Sequence, residues 1–229
     1  MKFLKKIWLH GWLKVSVTPG LRRLSYFLAS LAVPPHKAGT YVASISRNGY
    51  ITPTATIHHS KLTMGKNVFI GDRAVLYENT DGEVIDLDDK VHIHRDSIIE
   101  TGFGGSVKIG RESCIHPRCQ INGYVSDIII GEGVWIAPNC ALYSYDHGIA
   151  PGIPIRNQPL ETKGDIIIED EAWLGFGSII LSGVTIGKGS IVAAGSVVIK
   201  NVPPDAVVAG VPAKVISYRD GRQVNKGPL

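Results

Sequence analysis

The sequence predicts an all-β solenoid of triangular cross-section, entered through a short N-terminal helical segment and interrupted by one long extruded loop. Three observations carry this. The body of the chain repeats every six residues, each repeat opens on a bulky aliphatic residue with a small or β-branched one at its fifth position, and the phase holds unbroken over residues 168–197. Twelve hexads begin at Ile70, Leu87, Ile93, Ile109, Ile115, Ile130, Ile136, Ile168, Leu174, Ile180, Ile186 and Val192. Their fifth positions are Ala74, Val91, Ser97, Ser113, Cys119, Val134, Cys140, Ala172, Ser178, Val184, Ser190 and Ser196. A period of six is a multiple of the strand period of two, so the fifth position and the next first position face the same way. Both point inward, the large one filling the prism and the small one sitting near a corner, with Gly, Asp and Asn supplying the turns. Three hexads close one coil of about 18 residues, and coils stack about 4.8 Å apart. A β-sandwich has no reason to keep a six-residue phase.

In chain order, the first element is a basic arm. The 229 residues are 44% hydrophobic and 19% charged, a folded domain and not a disordered acidic chain. The net charge of +4 is unevenly placed: residues 1–71 hold ten basic groups and no acidic one, and the rest holds 14 basic and 20 acidic. Residues 2–17 and 21–32 read as two short helices separated by Pro19 and Gly20, with apolar stripes Leu4, Trp8, Trp12 and Leu21, Leu24, Leu28, Leu31. Two roles stay open for them: a cap on the open end of the solenoid, or an interfacial anchor facing anionic lipid. The apolar stretch at 24–33 is broken by Ser25 and Ser30 and falls short of the roughly 20 residues that span a bilayer. Lys5, Lys6, His10 and Lys14 likewise break any secretory leader. The expected organisation is a helical arm over 1–47, a β-helix over 48–216 and a polar tail over 217–229. Three cysteines, odd in number and without C-x-x-C spacing, argue against a disulfide framework and against a cysteine zinc site and suit a reducing compartment, with Cys119 and Cys140 as small core fillers.

Next come the breaks in phase, where loops leave a solenoid and function collects. The steps from Leu87 to Ile109 and from Ile109 to Ile130 are 22 and 21 residues, which predicts small bulges near residues 102–105 and 122–124. Residues 143–165 form the large interruption, a shaped excursion containing His147, Gly148, Pro151, Pro154 and Pro159. His94 and His116 each follow an inward isoleucine one coil apart, so their imidazoles stack on one outer face; they line an acceptor groove, hold a metal, or form a plain exposed row.

The hexads, together with NCALYSYDHG at 139–148 and the run from 166 to 216 that ends in AGVPAKVI, resemble the hexapeptide-repeat acyltransferases. The resemblance covers about residues 65–216 and is nearest to the maltose, galactoside and xenobiotic O-acetyltransferase branch and its polysaccharide-modifying relatives. It implies a left-handed parallel β-helix, acetyl-CoA as co-substrate, a homotrimer with the cleft between subunits, a glycan or small sugar acceptor and no nucleic acid. His147 falls where this family places its catalytic histidine, and an imidazole is the natural base for a hydroxyl that attacks a thioester. Asn122 lies where the family offers an amide to the acceptor, although a turn role fits as well; His116 and Tyr145 join it as acceptor candidates, and Asp146 as a residue that orients the ring or meets substrate. For the coenzyme the resemblance points to Trp173, Gly175, Gly177, Ala194, Lys200 and Lys214, the glycines also serving as solenoid corners. Ile199 and Phe176 depart from the pattern by lacking hydroxyls. The γ-class carbonic anhydrases share this fold and bind zinc through three histidines, but their pair separated by four residues is absent here, His92 and His94 being closer together; no metal is expected. An N-acyltransferase on an amino sugar and a non-catalytic scaffold remain the other readings. The expected location is the cytoplasm, with residues 1–37 offering peripheral contact to the inner membrane face.

Overall fold

The computed structural model describes residues 7, 8, 11, 12, 15, 20–32 and 34–222. From Tyr50 onward the chain winds through three sheets of nine, seven and six strands, each sheet taking every third strand of the solenoid body. On the first face Ile70, Ile93, Ile115, Ile136, Leu174, Val192 and Val208 are successive register partners. On the third face Leu87, Ile109, Ile130, Ile168 and Ile186 align in the same way. The heads of the hexads thus form continuous internal columns, nearly all without solvent contact. Leu76, Ile99, Ile121, Leu142, Ile180 and Val198 make the second-face column. All of these except Ile180 lie outside the twelve hexads, because the phase breaks soon after them. The architecture is the predicted solenoid and matches the left-handed β-helix that the resemblance implies.

All twelve fifth positions are buried. Several are Ser for a polar reason: the hydroxyls of Ser97, Ser113 and Ser190 donate to the corner carbonyls of His116, Gly131 and Pro203 at 2.9, 2.7 and 2.7 Å. Cys119 and Cys140 occupy the same kind of corner, with Sγ 3.1 Å from the carbonyls of Ala137 and Gly175. The turns differ from expectation. Gly, Asp and Asn supply only part of them, and Arg73, Lys90, Glu112, Arg118 and Glu171 also adopt φ of 54–63°. A left-handed residue costs about 1–2 kcal/mol. Stacking offsets it, since the corner amides of Lys90, Glu112 and Arg118 donate to Lys66, Asp89 and Arg95 one coil below at 2.7, 3.0 and 3.1 Å.

The two extra-long coils differ as well. Their added residues lengthen Ile98–Gly102 and Gln120–Tyr124 into five-residue strands paired along their whole length, and the chain bends only afterwards, at Phe103, Gly104 and Val125. At the C-terminal end Ala213–Tyr218 folds back antiparallel on Ala206–Gly210 and covers the last coil.

Ahead of the solenoid lie two helices whose bounds fall within the described residues, α1 (Arg22–Ser30) and α2 (Pro35–Ile45). Helix α1 falls inside the segment predicted at 21–32, whereas most of the helix read at 2–17 lies outside the described residues; Ile7, Trp8, Gly11, Trp12 and Val15 within it are helical. The leucine stripe is not the buried face. Leu24 and Leu31 are 56% and 66% exposed, while Ser25 and Ala29 are buried and the Trp8 indole donates to the Leu28 carbonyl at 3.1 Å. Helix α2 was not anticipated; Pro35 starts it, and Ala38, Val42 and Ala43 bury its inner side. A Cβ at Gly39 would stand 2.7 Å from the Phe69 ring, so only glycine admits this close approach. Asn67 Nδ2 faces the last carbonyls of α2, those of Ala43, Ser44 and Ser46, at 3.0, 3.2 and 3.0 Å. The result is a second small core of Ala29, Val42, Ala43, Tyr50 and Phe69 that caps the first coil. Among the described residues no helix is long and apolar enough to cross a membrane.

Ile121 is fully buried in the second-face column, whereas its third-face counterpart Ile129 is half-buried and points outward. Ile121→Ala is expected to cost about 2–5 kcal/mol in urea unfolding and Ile129→Ala under about 1 kcal/mol; equal losses would contradict the inward and outward assignment.

Candidate functional site

The large interruption in the repeat is a clamped hairpin. After the strand Ala141–Tyr143 the chain leaves the second face, and Asp146–His147 pairs antiparallel with Leu160–Glu161, His147 opposite Leu160. Its root is tied by hydroxyls. Ser144, fully buried, accepts the Tyr124 amide at 2.9 Å, and Thr162 Oγ1 donates to the Ser144 carbonyl at 2.7 Å. Its tip is laced by Gln158, which accepts the Ala150 amide at 2.7 Å and donates to the carbonyls of Ala150 and Ile153 at 3.1 and 2.8 Å. Asp146 accepts the Ser182 hydroxyl at 3.2 Å and so joins the hairpin to the next coil.

His147 is exposed at the edge of a tyrosine cluster. Its ring stands edge-on to Tyr145 at 6.1 Å; Tyr145 stacks on Tyr124 at 5.0 Å and lies 5.9 Å from Tyr143. Tyr124 is held by Asn79, which donates to its hydroxyl at 2.9 Å. Burial raises the phenol pKa values of Tyr124 and Tyr145 above the ordinary range, so both stay neutral donors at physiological pH. Asn122 is the register partner of Tyr143 on this face and is 92% buried, and its Oδ1 has no hydrogen-bond partner among the described residues. A buried, unpaired amide oxygen is costly unless a ligand hydroxyl or amine meets it.

His116 lies elsewhere in the chain. It follows the strand Cys114–Ile115 on the first face, stacks on His94 at 5.2 Å and lies 5.8 Å from Trp135. Burial lowers the His116 pKa, favouring the neutral ring. The stacking of His94 and His116 follows the sequence expectation; their joining His147 within one chain does not.

The coenzyme candidates occupy the C-terminal coils. Trp135 and Trp173 are register partners and both are exposed, and beside them Ala137, Gly175 and Ala193 follow one another from coil to coil as a column of small residues. The two glycines have structural causes of their own. A Cβ at Gly175 would stand 2.7 Å from both the Ala194 amide nitrogen and the Val192 carbonyl, while Gly177 has φ 67° with open space around it. Ala194 is exposed at the following turn, Lys200 beyond the strand Val197–Val198, and Lys214 on the final strand opposite Ala209.

Residues 165–200 match the bacterial transferase hexapeptide model of six repeats. Galactoside O-acetyltransferase of Escherichia coli K12 is 36% identical over 121 residues, which cover 50% of this chain and 55% of that protein. Its repeat region is thus similar to that of the hexapeptide-repeat transferases. A 2,3,4,5-tetrahydropyridine-2,6-dicarboxylate N-acetyltransferase of Clostridium perfringens is 52% identical over 65 residues, 28% of each chain. The chain spans about half the length of the first curated relatives it matches. A variant of AntD, an N-acyltransferase from Bacillus cereus solved with dTDP-4-amino-4,6-dideoxyglucose and coenzyme A, superposes with a TM-score of 0.52 at 23% identity, over 76% of this chain and 82% of that one; the likeness is one of fold.

Two features of this hexapeptide-repeat site were not anticipated: the serine and threonine root of the hairpin and the Gln158 lacing. The sequence signal for the second is faint, a glutamine just before Pro159. Gln158→Ala removes three hydrogen bonds from the tip, so proteolysis between residues 149 and 157 is expected to accelerate several-fold while the melting temperature of the solenoid stays put. An unchanged cleavage rate would show that the prolines alone hold the loop.

Proposed function

We propose that the protein is an acetyl-CoA-dependent O-acetyltransferase that moves an acetyl group to a hydroxyl of a sugar or glycan precursor, with His147 as general base. The observation that carries this reading is the clamped hairpin, which presents one imidazole beside a neutral tyrosine cluster and the buried amide of Asn122. Phenol rings stack on the apolar faces of sugars, and an amide both donates to and accepts from hydroxyls. In the reaction His147 takes the acceptor proton as its oxygen attacks the thioester carbon. Backbone N–H groups stabilise the oxyanion, and the imidazolium returns the proton to the departing thiolate of coenzyme A. Asp146, bonded to Ser182, holds the hairpin in place instead of the ring.

The pantetheine arm runs along the column of small residues beside Trp173, with Ala194 along it and Lys200 and Lys214 facing the nucleotide phosphates. Gly175 and Gly177 contribute by presenting no side chain to it. The hairpin tip exposes Ile149, Ile153 and Ile155, apolar residues that a neighbour would cover, and this supports a homotrimer with the cleft between subunits. In that assembly His116 and Trp135 of an adjacent first face complete the acceptor groove. Relatives that acylate nitrogen give the second reading, an N-acyltransferase on an amino sugar, which the same base would serve.

His147→Ala is expected to reduce acetyl transfer at least 100-fold, and to leave trimer mass and the coenzyme A-induced rise in melting temperature unchanged. A fully active variant would remove His147 from the mechanism. A mass-spectrometric screen of sugars and amino sugars with acetyl-CoA decides between oxygen and nitrogen acceptors.

We further place the enzyme at an anionic membrane surface. Helix α1 and its two flanking cap residues expose Leu21, Leu24 and Leu31 in a region without a single acidic residue, the pairing that interfacial helices use. The protein should float with phosphatidylserine vesicles and not with neutral ones, and the double variant Leu24→Asp, Leu31→Asp should lose flotation without loss of thermal stability. Flotation indifferent to lipid charge or to the double variant excludes this role.

A further inference from the structure

A second cluster of chemistry-bearing side chains stands on the first face, apart from the His147 hairpin. The strands His92–Ile93 and Cys114–Ile115 are neighbours, with His92 opposite Cys114 in register. His92 and His94 are two residues apart on extended chain, so both project from the outer side. One ring nitrogen from each histidine and Cys114 Sγ lie within 4.8 Å of one another, and all three residues are half-buried. They open on a cleft of about 490 Å³ bordered by Asn67, Glu112 and Trp135. Twenty-two residues of sequence separate His92 from Cys114, and one coil of solenoid brings them together.

We propose that His92, His94 and Cys114 of a single chain bind a zinc-type divalent cation. Two imidazoles and a thiolate are a borderline-soft donor set that suits Zn²⁺ and excludes Mg²⁺ and Ca²⁺, which take oxygen ligands. Zinc bonds of about 2.0–2.1 Å to nitrogen and 2.3 Å to sulfur place tetrahedral ligands roughly 3.3–3.7 Å apart. A contraction of about 1 Å from the present spacing is within reach of side-chain rotation. The rings are already confined: Phe69 packs edge-on against His92 and His94 at 5.9 and 5.7 Å, and His116 lies face to face with His94. Binding forms one zinc–sulfur and two zinc–nitrogen bonds, releases the Cys114 thiol proton to solvent and changes no oxidation state. Three protein ligands leave the fourth position to the cleft, for water or a small anionic or hydroxyl ligand. This donor set differs from three histidines shared between subunits; its cleft is also lined by His116 and Trp135, which the proposed function gives to the acceptor, but the metal takes no part in the proposed proton transfer at His147.

The test uses the untagged full chain, stripped with a chelator and titrated with Co²⁺ and Zn²⁺. One equivalent of Co²⁺ per chain should give a near-ultraviolet thiolate charge-transfer band and visible bands of tetrahedral intensity, and one equivalent of Zn²⁺ should bleach them and raise the melting temperature. Cys114→Ser should lose the charge-transfer band, and His92→Ala and His94→Ala should weaken Zn²⁺ binding by about 1,000-fold or more, beyond the roughly 10–100-fold that loss of an outer-shell partner costs. His147→Ala should bind one equivalent as tightly as the parent chain. Circular dichroism and sedimentation of each variant in the absence of metal verify the fold, and Cys114→Ser, a near-isosteric change, keeps the test valid if a histidine variant misfolds. Absence of the thiolate band in the parent chain, or a band that survives Cys114→Ser, overturns the proposal.

Discussion

Everything in this molecule depends on coil-to-coil register. The inward aliphatic residues stack in three columns, and a slip of one residue would turn each of them outward. Because Ile93, Ile115, Ile136 and Leu174 align inside, His92, Cys114, Trp135 and Trp173 are forced to align outside. The same holds on the second face, where alignment of Ile99, Ile121 and Leu142 lines up Glu100, Asn122 and Tyr143. Surface columns of function are thus by-products of buried columns of packing. Burial of the aliphatic columns supplies the stabilisation, and the corner hydrogen bonds between coils allow turns that isolated residues would resist.

This is why the fold was legible. A strict six-residue phase encodes inward and outward directly, and the residues at its first and fifth positions are buried as the period requires. Less of the turn chemistry could be read, because Lys90 or Glu112 at positive φ is unfavourable locally and acceptable only when another coil lies beneath it. The long coils misled for a related reason. Extra residues read as a bulge in one dimension, but here they extend two neighbouring strands together, so the ladder absorbs them.

The N-terminal segment shows a different limit. Periodicity identified the leucines of α1 as sharing one side, correctly, but it does not say whether that side meets the protein. The solenoid cap is instead built from small residues, Ser25 and Ala29 on α1 and Ala38, Gly39 and Ala43 on α2, which let the helices approach Phe69 and Tyr50 closely. Small residues have weak hydrophobic signatures, so α2 went unseen, and the large ones were left outside.

In the candidate site the sequence showed the position of the excursion and the histidine within it, because both are local. Its supports were hidden. Ser182 lies 36 residues from Asp146, and Tyr124 lies 20 residues from the Ser144 hydroxyl that ties the root of the hairpin. Such pairs become neighbours only after the coils are stacked. The same stacking explains why a hairpin that leaves the solenoid can hold a side chain steadily: its strands are paired with each other, its tip is laced by one glutamine, and its base is bonded to coils on both sides. A base that must reach an acceptor from outside the prism needs that rigidity, since misplacement by about 1 Å costs on the order of 100-fold in rate. Here the regular coils supply the rigidity and the interruption supplies the reach, which is why His147 stands on the interruption.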